Sequence, residues 1–142
     1  MKIEDTLSQV PLFSELSRTD LKRLGRGTVT RQFPRGHVIV REGDQALGFF
    51  LILSGRAEVV KRADGPNPRV LSTLGAGDFF GEMGLLDGYL RSASVRASVD
   101  TECLVLSRWD FLAEVRMSPF IAVQMLPVLS RRLREADSWL GT

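Results

Sequence analysis

Phe80-Gly81-Glu82-Met83-Gly84-Leu85-Leu86-Asp87-Gly88-Tyr89-Leu90-Arg91-Ser92-Ala93-Ser94-Val95-Arg96-Ala97 sets an acid and an arginine nine residues apart, joined by small residues and one short apolar turn. Its glycines permit tight turns and leave main-chain N–H groups within reach of a ligand, because they carry no Cβ. Met83, Leu85 and Leu86 supply about one helical turn of apolar anchorage, and amides at the start of such a turn carry the partial positive charge that favours an anion. Arg91 adds a permanent charge with a planar donor fork suited to two phosphate oxygens, and Ser92 adds a hydroxyl or amide donor beside it. Glu82 cannot bind an anion, so in the same pocket it must accept from hydroxyls, for which a ribose 2′-OH is the natural donor. A cationic end and an acceptor end together imply a nucleotide. An isolated Glu/Arg pair is more often a surface salt bridge; the spacing of the whole run argues against that reading here.

The run resembles the phosphate-binding cassette of cyclic nucleotide-binding domains, whose pattern is Phe-Gly-Glu, a few apolar or small residues, a short spacer, Arg, and then Ala or Ser/Thr. Gly81, Glu82, Leu85, Arg91, Ser92 and Ala93 fall in register with it. The resemblance implies that Glu82 takes the ribose 2′-OH and Arg91 the cyclic phosphate. It also implies that the amides of Gly84 and Ser92 support them and that Gly81 contributes backbone, with Met83 and Ala93 completing the ligand wall. Ser72 and Leu74, on the strand before the cassette, are expected near the base. Leu90 stands where many members carry proline, a change of loop stiffness and not of chemistry. Ser92, where cGMP-preferring members often carry threonine, tilts the ligand toward cAMP, as in the bacterial catabolite activator type that the chain resembles over most of its length. The terminal helix departs from that type: Ala136 and Asp137 stand where it carries hydroxyl residues that contact adenine.

Composition agrees with one compact domain over residues 1–142. With 142 residues, 44% of them hydrophobic, the chain can bury a core without staples. No run approaches the ~20 consecutive apolar residues of a membrane span, and the N-terminus lacks a secretory h-region, so a soluble, cytoplasmic domain is expected. A single cysteine, Cys103, excludes an internal disulfide and a multi-cysteine metal site, and its apolar neighbours make it an inert core residue. The net charge of +2 gives no basic face, so nucleic-acid binding is not indicated.

The punctuation of the chain predicts a jelly-roll flanked by helices, a mainly β fold of α+β type. Residues 1–27 form an N-terminal helical unit, in which Ser17-Arg18-Thr19-Asp20 has the capping-box form and starts a helix running toward Gly25. Residues 28–107 read as short apolar runs broken by Gly, Pro, Asp and Asn. The spacing predicts strands over Thr28 to Phe33, His37 to Arg41, Phe49 to Leu53, Ala57 to Arg62, Arg69 to Leu74, Val95 to Val99 and Thr101 to Leu106. Val95, Ala97 and Val99 alternate with Arg96, Ser98 and Asp100, the pattern of a strand with one buried face. The glycines of Gly75-Ala76-Gly77-Asp78 lack dinucleotide spacing and a surrounding βαβ unit.

Residues 108–142 close the chain with helices. Ser107 with Asp110 caps a helix from Arg108 to about Met117, and Ser118-Pro119 opens the next. There Ala122, Leu126, Leu129, Leu133, Ala136 and Leu140 recur at spacings of four and three, an apolar seam that needs a partner. Pro127 lies inside the pattern and is expected to bend or interrupt the helix. By family resemblance the segment beyond that joint covers the bound base, with Arg132 or Trp139 as its cap, and either pairs with a second subunit as a homodimer or presents a surface to a protein effector. The plain alternative is packing of the seam on the roll.

No enzyme is expected. A metal-dependent enzyme on a similar roll needs several histidines, and the chain has one, His37; no metal site, cofactor or catalytic nucleophile is indicated. Glu42 and Asp44 flank Gly43 as turn residues. The chain reaches Thr142 without a helix-turn-helix, so the expectation is a stand-alone sensor or the effector fragment of a transcription regulator, with no DNA-binding element and no membrane segment. The rival is a non-nucleotide-binding domain that keeps the roll for protein interaction and uses Glu82 and Arg91 structurally.

Overall fold

The computed structural model describes the backbone of residues 2–139 and the side chains of residues 2–137. These fall into two compact units, Thr28–Trp109 and a helical unit made of Met1–Gly27 with Asp110–Thr142.

The first unit is a β-roll. Its strands are β1 (Thr28–Phe33), β2 (Val38–Val40), β3 (Gly48–Ser54), β4 (Arg56–Lys61), β5 (Arg69–Gly75), β6 (Phe79–Phe80), β7 (Ser94–Ala97) and β8 (Thr101–Ser107). They pair antiparallel into two four-stranded sheets, ordered β1-β8-β3-β6 and β2-β7-β4-β5. Register explains the core. Phe50 stands opposite Val105 and Ile52 opposite Cys103, and these four side chains meet Ala57 and Val95 of the other sheet. The central apolar faces of the two sheets are thus buried against each other, which is the dominant favourable term in such a fold. β3 is buried on both faces, Phe49 and Leu51 included, as its unbroken apolar run requires. Cys103 lies fully buried, and burial together with the Glu102 charge pushes its thiol up to about 11.

The expected strands all form, with small shifts at their ends. The strand expected over His37 to Arg41 contracts to Val38–Val40. The one expected to reach Val99 stops at Ala97, because the chain turns: Ser98 N–H donates to the Arg56 carbonyl at 2.9 Å, and the Asp100 carboxylate accepts from Arg35 N–H at 2.9 Å. β6 was not legible, being too short for any period. It is fixed by pairing Phe80 with Phe50 and by stacking their rings, 5.0 Å apart and 5° from parallel. The cassette therefore leaves the sheet at the edge of the core.

In the helical unit, α1 (Ile3–Ser8) and a 3-10 turn (Pro11–Phe13) precede α2 (Arg18–Arg26). Ser17 caps α2 as its sequence predicts, its hydroxyl accepting from Asp20 N–H at 3.2 Å. Asp20 has a second use. Its buried carboxylate accepts from Ser118 Oγ at 3.1 Å and Gln124 Nε2 at 2.8 Å, while Gln124 Oε1 accepts from Ser17 N–H at 2.6 Å. The long-range bonds satisfy a buried charge that would otherwise be costly. α1 escaped the sequence reading, having six residues and no side-chain cap at Lys2.

The last two helices are α4 (Arg108–Met117) and α5 (Phe120–Trp139). The expected interruption at Pro127 does not occur: α5 continues through it. Proline deletes one helical donor, and buried Met125 and Val128 on either side hold the turn. The buried stripe of α5 is Ile121, Met125 and Val128, whereas Leu126 and Leu133 of the heptad seam are 59% and 68% exposed. Leu140, the last seam position, lies outside the described residues.

Candidate functional site

The cassette closes one side of a cavity of about 440 Å³ in the roll, within the size range of small-ligand pockets. Strand residues Val40, Val59 and Val95 make its apolar floor, and Gly81, Glu82, Met83, Gly84, Arg91, Ser92 and Ala93 form the polar wall. Seven of the sequence-nominated residues are therefore brought together. Ser72 and Leu74 are not in the wall. They lie on β5, Ser72 paired with Val59 and Leu74 with Ala57, so Ser72 stands one strand beyond the cavity's floor and Leu74 packs against the core. Arg132 lies on α5 in the helical unit. The Trp139 side chain is outside the described residues.

Local folding positions each group. The segment Asp87–Arg91 is pinned to residues 43–46 by a short antiparallel ladder: Ala46 N–H donates to Tyr89 O at 2.8 Å, Arg91 N–H to Asp44 O at 2.7 Å, and Gly43 N–H to Arg91 O at 2.9 Å. Gln45 and Leu90 face each other in its non-hydrogen-bonded pair, so the ladder does not use the Leu90 N–H. A proline at that position would cost the ladder no hydrogen bond.

α3 (Gly84–Asp87) is the short apolar turn of the sequence. Its first amides are internally bonded: Gly84 N–H donates to Gly81 O at 3.1 Å, Leu85 N–H to Glu82 O at 3.2 Å and Leu86 N–H to Met83 O at 3.0 Å. The Gly84 amide, nominated as a ligand donor, is thus engaged in a turn. Gly81 has a different role from mere openness. At φ +83° it adopts a backbone that favours glycine, and a Cβ there would stand 2.6 Å from the Gly48 carbonyl and nearer still to Arg91 Nη1.

That close approach seats Arg91. Its Nη2 donates to the Gly48 carbonyl at 2.8 Å, its Cζ lies 5.8 Å from the Phe50 ring centroid, and its Nε is buried without a hydrogen-bond partner. Burial pulls the guanidinium's pKa down from its ordinary value. It remains charged, since even a lowered arginine pKa stays far above neutrality. Burial alone accounts for the lowered pKa, and among the described residues no ion pair is found for Arg91. A half-buried cation with an unused donor is unusual, because buried polar groups are nearly always satisfied. The arrangement has room for an anion.

Three further groups were beyond sequence reasoning. Gly48 acts through its carbonyl, which any residue would supply. Lys61, at the end of β4, donates from Nζ to the Ser92 carbonyl and sits 3.5 Å from the Glu42 carboxylate. Arg108, at the start of α4, donates from Nη2 to Leu86 O at 3.2 Å, capping the C-terminal end of α3, with its own Nε buried and unpartnered. Only the position of Arg108 directly after Ser107 hinted at a role near a helix start.

Comparison with known proteins agrees with this geometry. The family model described as the cyclic nucleotide-binding domain matches residues 30–117. The cyclic AMP receptor protein of Thermus thermophilus is 40% identical over 127 residues, 89% of this chain and 59% of that protein. The CRP-like cAMP-activated global transcriptional regulator of Mycobacterium tuberculosis is 26% identical over 98% of this chain and 62% of its own length. The chain thus spans about three-fifths of these relatives. Among solved structures, the N-terminal domain of a transcriptional regulator from Streptomyces coelicolor matches with a TM-score of 0.85 at 25% identity, covering 96% of this chain and 95% of that one. With the domain model matched over more than half its length, this chain belongs to the cyclic nucleotide-binding domain family.

Proposed function

We propose that the chain is a cyclic nucleotide sensor that binds cAMP in preference to cGMP and has no catalytic step of its own. The cyclic phosphate sits on Arg91 with the Ser92–Ala93 backbone beside it, and Glu82 accepts from the ribose 2′-OH. The observation that carries this reading is the Arg91 guanidinium, half-buried, without an ion pair among the described residues and with a buried Nε lacking a partner. A structural arginine at such a site would be neutralised by an acid, because an unpaired buried charge costs several kcal/mol (roughly). An anionic ligand supplies the missing counter-charge. The preference for cAMP rests on Ser92 and on the similarity to a cyclic AMP receptor protein and a cAMP-activated regulator.

Output runs through α5. Leu126 and Leu133 expose the heptad seam, and a parallel second copy would cover it, placing Arg132 of one helix against Asp137 of the other at flanking heptad positions. Titration calorimetry with cAMP and cGMP tests the sensor. Heat and a thermal shift with cAMP are expected; none with either nucleotide at millimolar concentration overturns the reading.

A further inference from the structure

We propose that Lys61 is a positioning residue for the phosphate end of the cavity, acting through the Ser92–Ala93 peptide and held in place by Glu42. This rests on the cyclic nucleotide reading above and adds to it a group that does not line the cavity. Lys61 ends β4, two residues after the cavity-floor residue Val59, and its Nζ donates to the Ser92 carbonyl. The carbonyl and the following N–H of a trans peptide point in opposite directions. Turning the Ser92 carbonyl onto Lys61 therefore turns the Ala93 N–H away from Lys61, and Ala93 is part of the polar wall beside Arg91. A cation on the carbonyl also polarises that peptide, making its N–H a stronger donor to an anion.

The lysine is not a loose surface charge. Glu42 Oε2 lies 3.5 Å from Nζ, and Glu42 is itself fixed at two further points: Oε1 accepts from Arg62 N–H at 2.9 Å, and its own N–H donates to Ser94 Oγ at 2.9 Å. The Arg62 bond, aided by Lys61, holds the Glu42 carboxyl below its ordinary pKa. Ser94 is buried at the start of β7, directly after the peptide in question. Glu42, Lys61, Ser92 and Ser94 thus form a closed brace behind the cassette. Its presence explains why a lysine with a half-exposed side chain is kept against a backbone carbonyl when water is available.

The two phosphorothioate diastereomers of cAMP, each with sulfur in place of one exocyclic oxygen, provide the test, because a directed N–H distinguishes the two positions. K61M is expected to weaken cAMP binding about tenfold, the loss of one half-exposed charge-assisted bond, and to bring the affinity ratio of the diastereomers toward one. K61R, which keeps the charge and a donor, restores both. Unchanged cAMP affinity in K61M, or a loss that leaves the diastereomer ratio as it was, overturns the proposal while the sensor reading stands. A wild-type chain that binds neither cAMP nor its analogues fails the sensor reading itself and removes the brace's ligand with it.

Discussion

Replacing Arg91 by alanine should separate ligand binding from folding, and the structure sets the size of each effect. In the free chain the guanidinium makes one hydrogen bond, to Gly48 O, and a contact over Phe50 at 5.8 Å. Losing these costs about 1.5–3 kcal/mol for the charge-assisted bond and about 0.5–1 kcal/mol for the cation–π contact. Removing a desolvated charge and its unpartnered Nε returns a similar amount. The net change in stability is therefore small, within about 1–2 kcal/mol. Binding responds differently. With Nη2 held by Gly48, Nε is left without an acceptor, and charge-assisted bonds are worth about 1.5–3 kcal/mol each. R91A should thus weaken cAMP by about 2–5 kcal/mol, roughly 30- to 5,000-fold, as read by calorimetry beside a urea melt of each variant. Glu82→Gln should lose less, since an amide oxygen still accepts from a 2′-OH. A loss below about 1 kcal/mol in R91A, or a larger loss in E82Q than in R91A, would refute the assignment of phosphate to Arg91.

Other perturbations follow from the same contacts. Gly81→Ala should destabilise the fold by about 2–5 kcal/mol, adding left-handed backbone strain to overlap with the Gly48 carbonyl 2.6 Å away; a denaturation midpoint indistinguishable from wild type would show that the cassette relaxes freely. The Cys103 thiol, pushed up to about 11 from an ordinary 9.0, stays protonated in the folded chain at pH values where the unfolded chain ionises. Stability should accordingly be constant below about pH 9 and fall by about 3 kcal/mol in total as pH rises from there to about 11; C103A should abolish that part of the alkaline loss, which urea melts across this range would read. Leu133→Asp should leave the monomer's stability within about 0.5 kcal/mol, its side chain being 68% exposed, and should abolish any dimer seen by sedimentation. A dimer that survives the substitution would place the interface elsewhere.

What could be read from the sequence and what could not divide along a physical line. Strands β3 and β8 were legible because burial imposes a period or an unbroken apolar run on their own residues, and Ser17 was legible as a cap because its partner, Asp20 N–H, lies three residues away. The seven wall residues were found together because one contiguous segment supplies them. The floor was not, since Val40, Val59 and Val95 are ordinary apolar strand residues until topology sets β2, β4 and β7 side by side. Asp20 shows the same limit. Its local role was evident, but its bonds to Ser118 and Gln124 span 98 and 104 residues, and no periodicity reports a contact at that separation. At Pro127 the expected interruption fails because the local rule counts the lost hydrogen bond and not the buried neighbours, Met125 and Val128.

One anchor of the site lies at the start of β3. The Gly48 carbonyl accepts from Arg91 Nη2 at 2.8 Å, and the adjacent Leu47 carbonyl accepts from the Arg108 N–H at 2.9 Å. Arg108 then reaches back to Leu86 O, at the end of the cassette's helix. Two consecutive peptides thus hold both Arg91, the proposed phosphate ligand, and the first residue of α4. A ligand that draws Arg91 toward a phosphate competes with Gly48 O, and the peptide that it strains is bonded in series to Arg108. Both arginines carry a buried Nε without a partner, so each has a donor free to form a new bond if that anchor shifts. Leaving two such donors unsatisfied costs about 1–3 kcal/mol each, a cost that the proposed phosphate contact would offset at Arg91.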